Sequence, residues 1–236
     1  MNIILLEPAD WLDNDRVALT GRRFQHINNV LAIKCGDTVR VGLINGKLGN
    51  GVIECIDNNT VTLSVTLSKN PVPRHPYHII LALPRPKMLR RVLRTAAEFG
   101  VEALHLIHSY RVEKSYWQSP LLNQDNIENS LRAGLERSGD TQLPIVQLHR
   151  RFRPFVEDVL PNLLTDRKGF IAHPGEYPKL VTGSGAASTV MIGPEGGFIP
   201  FELTLAMDNG LQPCTLGRRI LSVDTAITTV LAQELH

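Results

Sequence analysis

The sequence predicts an α/β chain in two parts, a small β-rich domain over 1–70 and a larger domain over 77–236 in which strands and helices alternate. Three observations carry this reading. A Pro-rich stretch from Ser68 to Pro76, with Pro71, Pro73 and Pro76 around Asn70 and Arg74, interrupts two well-patterned regions as extended linkers do. Ahead of it, apolar and polar residues alternate with the period of two that half-buried strands require. Behind it, short apolar runs are separated by amphipathic segments, the pattern of a sheet covered by helices.

In the first part Thr38 to Leu43, Gly51 to Ile56 and Val61 to Leu67 alternate, separated by the turn sequences Asn45-Gly46 and Asp57-Asn58-Asn59. Short strands joined this way predict a small β-barrel, a shape that often serves as an RNA-binding appendage. A helix is expected over Arg22 to Ile33, with Phe24, Ile27, Val30 and Leu31 at helical spacing and Arg22, Arg23 and His26 on other faces. In the second part strands are expected at His78 to Leu83, Val101 to Ile107, Phe170 to His173, Thr189 to Ile192 and Pro213 to Leu216. Helices are expected over Met88 to Phe99, Ile127 to Leu135 and Asp224 to Leu235. In the first of them Met88, Leu89, Val92, Leu93 and Ala96 form one stripe, Arg90, Arg91 and Arg94 lie off it, and Gly100 supplies the stop. In the last, Ala226, Ile227, Val230 and Leu231 share a face and Asp224 is placed to cap the N-terminus.

With 236 residues and 43% apolar content, the chain can bury an ordinary core in each part. The net charge of +2 gives no global argument for a polyanionic partner. Placement says more: Arg85, Lys87, Arg90, Arg91 and Arg94 occur without an intervening acid, and Arg150, Arg151 and Arg153 form a second cluster. Each reads either as a phosphate contact or as a solvated face. Cys35, Cys55 and Cys214 are odd in number and far apart, so neither a disulfide framework nor a metal knuckle is expected, and no metal is predicted. No stretch approaches the ~18 apolar residues of a membrane span. The segment from Met1 to Leu12 carries Glu7 and Asp10 with no basic head or cleavage site, so a cytoplasmic protein without a membrane partner is expected.

Function is concentrated near the C-terminus. Gly193-Pro194-Glu195-Gly196-Gly197 and Leu216-Gly217-Arg218-Arg219-Ile220-Leu221 each follow an apolar run and precede a helix-like segment. Glycine has no Cβ to obstruct a ligand and tolerates positive φ, so such loops let main chain approach a bound molecule. Ala172-His173-Pro174-Gly175-Glu176 offers a third wall at the same sheet edge. The spacing matches neither the phosphate cradle ending in Gly-Lys-Ser/Thr nor the dinucleotide turn. A nucleotide-like ligand held by its ring and ribose is compatible. The strand and helix alternation alone also fits a nicotinamide oxidoreductase, against which the glycine spacing argues.

These residues carry a family resemblance. Ile192 to Phe198, followed by Leu216-Gly217, Arg219-Ile220-Leu221 and the acid-Thr-Ala start of a helix, resembles the SPOUT class of S-adenosylmethionine-dependent RNA methyltransferases. Within it the chain is similar to the ribosomal RNA small-subunit methyltransferase E family, which modifies N3 of a uridine in 16S ribosomal RNA. Glu98-Phe99-Gly100-Val101, Glu136 with Ser138-Gly139 and Pro144, and His26 with Gly36-Asp37 match further family positions. The resemblance implies a SPOUT-type C-terminal domain with a trefoil knot, preceded by a small PUA-like β-barrel. It also implies a homodimer, S-adenosyl-L-methionine as cofactor, and ribosomal RNA or the small ribosomal subunit as partner. Carried over by residue, the cofactor pocket comprises His173, Ile192, Gly193, Pro194, Glu195, Gly196, Gly197, Leu216, Gly217, Arg219, Ile220 and Leu221. RNA contacts are expected from Arg22, Arg23 and His26 in the barrel and from Arg85, Lys87 and Arg111 in the second domain.

The implied chemistry rewards positioning, because a sulfonium methyl is already activated. N3 of uridine bears an imide proton, so a base must remove it and positive charge beside O2 or O4 must stabilise the resulting anion. Arg219 suits the second role. Asp224 is the candidate base or orienting group, with Glu195 its rival; the structural alternatives are a helix cap for Asp224 and loop-amide bonding for Glu195. The chain departs from the family where Ser222 replaces a second Arg, Asp224 a Glu, Arg137 a Gln, Asp140 an Arg and Thr95 a Lys. A divergent paralogue that binds structured RNA without methylating it, or that methylates a different RNA, is therefore the alternative reading.

Overall fold

The computed structural model describes residues 2–31, 34–181 and 186–233. The chain forms two compact units: one runs through Pro73 and takes in Arg132–Leu143 as well, and the other comprises Arg74–Leu131 and the chain from Pro144 onward.

The first unit is built on five strands, β1 (Ile4–Leu6), β2 (Arg16–Leu19), β3 (Thr38–Leu43), β4 (Leu48–Ile56) and β5 (Val61–Lys69), in the order β1-β3-β4-β5-β2. β1 runs parallel to β3, and the remaining pairs are antiparallel. Alternation dictates these strands: in β5 the β-branched and aliphatic residues Val61, Leu63 and Val65 are buried while their neighbours face outward. Leu6 of β1 and Leu19 of β2, from opposite edges, join one core with Val41, Ile53, Leu63 and Ile27. Among the described residues no ladder links β1 to β2, so the sheet curls into a half-barrel without closing. The returning segment is bonded into this unit, with Asn45 N–H donating to the Thr141 carbonyl at 2.8 Å and Thr141 Oγ1 to the Gly46 carbonyl at 2.7 Å.

The helix expected over Arg22 to Ile33 differs from its prediction. α1 (Gly21–Gln25) passes into a π turn at His26–Leu31, and Ala32 and Ile33 lie outside the described residues. The wider turn adds a residue and breaks the 3.6 spacing. Phe24 and Ile27 stay in the core, whereas Val30 rotates out and is 69% exposed.

The second unit contains β6 (His75–Ala82), α2 (Pro86–Glu98), β7 (Val101–Ile107), α3 (Gln124–Ser138), β8 (Ile145–His149), α4 (Phe152–Pro154) joined through a π turn to α5 (Leu160–Leu163), β9 (Lys168–Ala172), β10 (Ser188–Ile192), α6 (Pro200–Asp208), β11 (Gln212–Cys214) and α7 (Val223–Ala232). α3 begins in this unit and ends in the first. The sheet order is β11-β9-β10-β6-β7-β8, with every pair parallel. β10, Ser-Thr-Val-Met-Ile, is buried throughout, as a central parallel strand covered on both faces must be. Leu89, Val92, Leu93, Ala96 and Ala97 of α2 are buried, and Gly100 ends the helix at φ +64°. α7 starts at Val223 with Ser222 in the capping position, so Asp224 sits inside the first turn and is not the cap; Leu235, its expected end, lies outside the described residues.

One face of β6, β7 and β8 carries a histidine from each strand. His105 Nδ1 lies 3.2 Å from His149 Nε2, the His78 and His105 ring centroids are 5.4 Å apart, and Phe155 packs on both His105 and His149. Burial, then the charges of His78, His149 and Arg167, holds the His105 imidazole down to about 3.

Candidate active site

All strands of the second sheet point the same way, so the loops leaving β9, β10 and β11 gather at its carboxyl edge, where open α/β sheets take their ligands. They enclose a cleft with about 630 Å³ of empty space, mouth included. From the loop after β9 come His173 and Pro174. From the loop after β10 come Gly193, Pro194, Glu195, Gly197 and Phe198, with Ile192 at the strand end. From the segment after β11 come Leu216, Gly217, Arg219, Ile220 and Leu221. Of the predicted cofactor set only Gly196 is absent from the lining. Sequence reasoning missed Phe198, Thr215, Val223 and Ala226, which also face the space; their signal was position beside the glycine motifs.

Glycine is favoured here for two reasons. Gly197 at φ +73° and Gly217 at φ +129° adopt a backbone that L side chains rarely enter. A Cβ on Gly193 would lie 3.2 Å from the Phe198 ring. Cys214, at the end of β11, is fully buried, and desolvation pushes its thiol up to about 11, so it stays protonated as a packing group. Burial, then the nearby Arg111 charge, lowers His173 below the ordinary imidazole value, which favours a neutral ring at the cleft wall.

The rim is electrostatically organised. Asp224 accepts from Ser222 Oγ at 2.6 Å and from Arg91 Nη1 at 2.8 Å. The Ser222 bond, followed by that of Arg91 and backbone amides, holds its carboxyl below the usual value against the opposing effect of burial. Arg85 lies 3.7 Å from the Glu195 carboxylate, and Arg111 donates to the Gly196 carbonyl. Arg219 and Ile220 are exposed at the cleft. Arg91 was read only as part of a basic run, and its partnership with an acid far along the chain has no local signal.

The predicted RNA-contacting residues fall into two groups. In the first unit Arg22 forms a two-pronged pair with the buried Glu136 at 2.9 and 2.5 Å. Arg23 pairs with Asp10 at 2.5 and 2.6 Å and donates to the Leu5 carbonyl at 3.0 Å. Both guanidiniums thus hold the unit's own acids, a use that spacing could not reveal. His26 opens the π turn. In the second unit Arg85, Lys87 and Arg111 are exposed, the first and last beside the glycine loop. Among the described residues no group of three His, Cys, Asp or Glu side chains could hold a metal ion, and no helix is long and apolar enough to cross a membrane.

The parallel six-stranded sheet and the glycine-walled cleft at its carboxyl edge make the second unit an α/β domain with a ligand site at the ends of its strands. The fold matches that of a ribosomal RNA small subunit methyltransferase E from Neisseria gonorrhoeae solved with S-adenosyl methionine bound, at a TM-score of 0.78 and 20% identity over 98% of this chain and 95% of that one. A putative methyltransferase from Legionella pneumophila, also solved with that cofactor, gives 0.78 and 21% with the same coverage. A ribosomal RNA small subunit methyltransferase E from Treponema pallidum is 28% identical across 100% of this chain and 91% of its own length. Residues 70–233 match the family model described as an RNA methyltransferase domain. The chain belongs to this RNA methyltransferase family.

Proposed function

We propose that the chain transfers a methyl group from S-adenosylmethionine to N3 of a uridine in 16S ribosomal RNA, acting as a homodimer. The observation that carries the reading is the convergence of the three loops on one cleft whose walls are main chain and apolar side chains. Gly217 supports the fit: it lines the cleft, and a Cβ built on it would meet nothing within 4 Å, so open space lies where its side chain would be. Ala172, Ile192, Phe198, Leu216 and Leu221 suit a flat heterocycle, while the main-chain polar groups of the glycine loops suit its edges and ribose. The bound cofactor would supply an activated methyl for in-line displacement.

The remaining work is positioning and charge. Arg219 is exposed in the cleft and free to approach O2 or O4, where its charge lowers the energy of the imide anion. We assign acceptance of the N3 proton to Glu195, which lines the cleft, over Asp224. Asp224 is tied to Ser222 and Arg91 and is a weak base because its carboxyl is held low, so it anchors the α2–α7 contact. Lys87 and Arg85 are the second unit's candidates for backbone phosphates.

The test has two stages. S-adenosylmethionine should raise the melting temperature and nicotinamide cofactors should not, since a native-state ligand stabilises by mass action. Labelled methyl should then enter small ribosomal subunits that lack the native mark, at uridine N3 by nucleoside mass spectrometry. Ser222, standing where the family has an arginine, bonds Asp224 and Thr225 in place of reaching for RNA. Cofactor binding without methyl incorporation would therefore replace this reading with that of a paralogue that binds RNA or uses another target.

A further inference from the structure

The glycine loop is a turn closed by the Gly197 N–H, which donates to the Pro194 carbonyl at 2.8 Å, and the carbonyl of that same Gly196–Gly197 peptide is gripped from outside. Arg111, in the loop after β7, donates from its guanidinium to the Gly196 carbonyl. Its aliphatic stem packs on the same residue so closely that a Cβ on Gly196 would lie 2.9 Å from Arg111 Cδ. Gly196, unlike Gly197, is not at positive φ, so the need for glycine at this position comes from the arginine stem and not from the backbone.

Arg111 is itself held in place. Val112 N–H closes a turn on the Ser109 carbonyl at 3.0 Å, and both residues are buried. Next to Arg111, the Tyr110 N–H donates to Glu202 Oε1 at 2.6 Å, and Glu202 Oε2 accepts from Ile199 N–H at 3.1 Å, where the glycine segment enters α6. Glu202 is 3% exposed, so these two bonds are shielded from water. The β7 loop and the 193–202 segment are thus clasped twice, through Arg111 on Gly196 and through Tyr110 on Glu202. Arg85, exposed and 3.7 Å from Glu195, adds only a loose third contact.

We propose that Arg111 is a positioning residue that fixes the Pro194–Gly197 turn in its ligand-accepting shape, rather than a phosphate contact for RNA. The identity of the ligand rests on the methyl-donor reading above; the role of Arg111 in the turn does not. A lysine keeps the stem and one donor, whereas alanine removes both.

The experiment is a double-mutant cycle on the full chain, read by titration calorimetry with S-adenosylmethionine and by amide hydrogen exchange at Gly197 without it. Arg111→Ala should weaken binding tenfold or more and speed exchange at Gly197, and Arg111→Lys should stay within about threefold of the parent. Gly196→Ala should weaken binding comparably because its methyl displaces the stem. The double variant should bind no worse than the weaker single one, since the collision is then gone. Unchanged exchange in Arg111→Ala, unchanged affinity in it where the parent binds, or losses from the two sites that multiply, would overturn the proposal. A parent protein that ignores S-adenosylmethionine while Arg111→Ala still frees the Gly197 amide would sink the methyl-donor reading and leave the turn assignment standing.

Discussion

Arg219, Glu195 and Asp224 separate at the level of single side chains. The first two face the cleft, while Asp224 is bonded to Ser222 and Arg91 at its edge. Arg219→Ala should lower single-turnover methyl transfer by roughly 10²–10³ if it meets the developing anion, with cofactor affinity within a few-fold of the parent. Glu195→Gln should do the same, and Asp224→Asn should lose less than tenfold. A larger loss from Asp224→Asn than from Glu195→Gln would reverse the assignment. The glycines that wall the cleft were legible because main-chain approach and positive φ select glycine in sequence itself. The partners Arg91 and Glu202 were not, because an ion pair or buried carboxylate joins residues that no local pattern connects.

Among the elements, α2 shows how far periodicity reaches. Of the predicted stripe Leu89, Val92, Leu93 and Ala96 are buried and Met88 is half-buried, the stop at Gly100 has positive φ, and the span is Pro86–Glu98 against an expected Met88 to Phe99. Leu93→Ala in this stripe should remove about 2–5 kcal/mol of stability by urea titration, whereas Arg90→Ala on the exposed face should change it by less than ~0.5. β3 and β7 match their predicted bounds. Other elements were not legible, the short helices α4 and α5 among them. β1 and β2 are only three and four residues long, too short for an alternation to register, and β8 is a half-exposed edge strand with Ile145 and Leu148 facing outward. The π turn at His26–Leu31 was hidden for another reason: its residues fit the ordinary helical period that the backbone abandons.

At the scale of the whole molecule, the buried histidines link stability to acidity. His105 is held at about 3 in the folded chain against an ordinary 6.5, and burial also lowers His78 and His149. The unfolded chain therefore binds more protons below pH 6.5, so this stability is complete above that pH and drains as the pH falls toward 3. From pH 7 to pH 5, His105 alone should account for a loss of about 2 kcal/mol. Urea titrations at the two pH values should show it, and His105→Leu should flatten the difference. Equal pH dependence in parent and variant would remove the assignment.

The return of Arg132–Leu143 to the first unit makes the polypeptide pass between its two bodies three times, so they are laced and not merely strung in series. During synthesis the half-barrel strands leave the ribosome long before Glu136 and Thr141, the groups that meet Arg22 and Gly46. The amino-terminal body consequently waits, incompletely sealed, until α3 has been made. A fragment ending at Pro73 should unfold at lower urea than the corresponding part of the intact chain, and adding 132–143 back through a short tether should restore much of the difference. Dissection at the Pro-rich boundary, the natural choice for anyone cloning the halves, would sever a stitch.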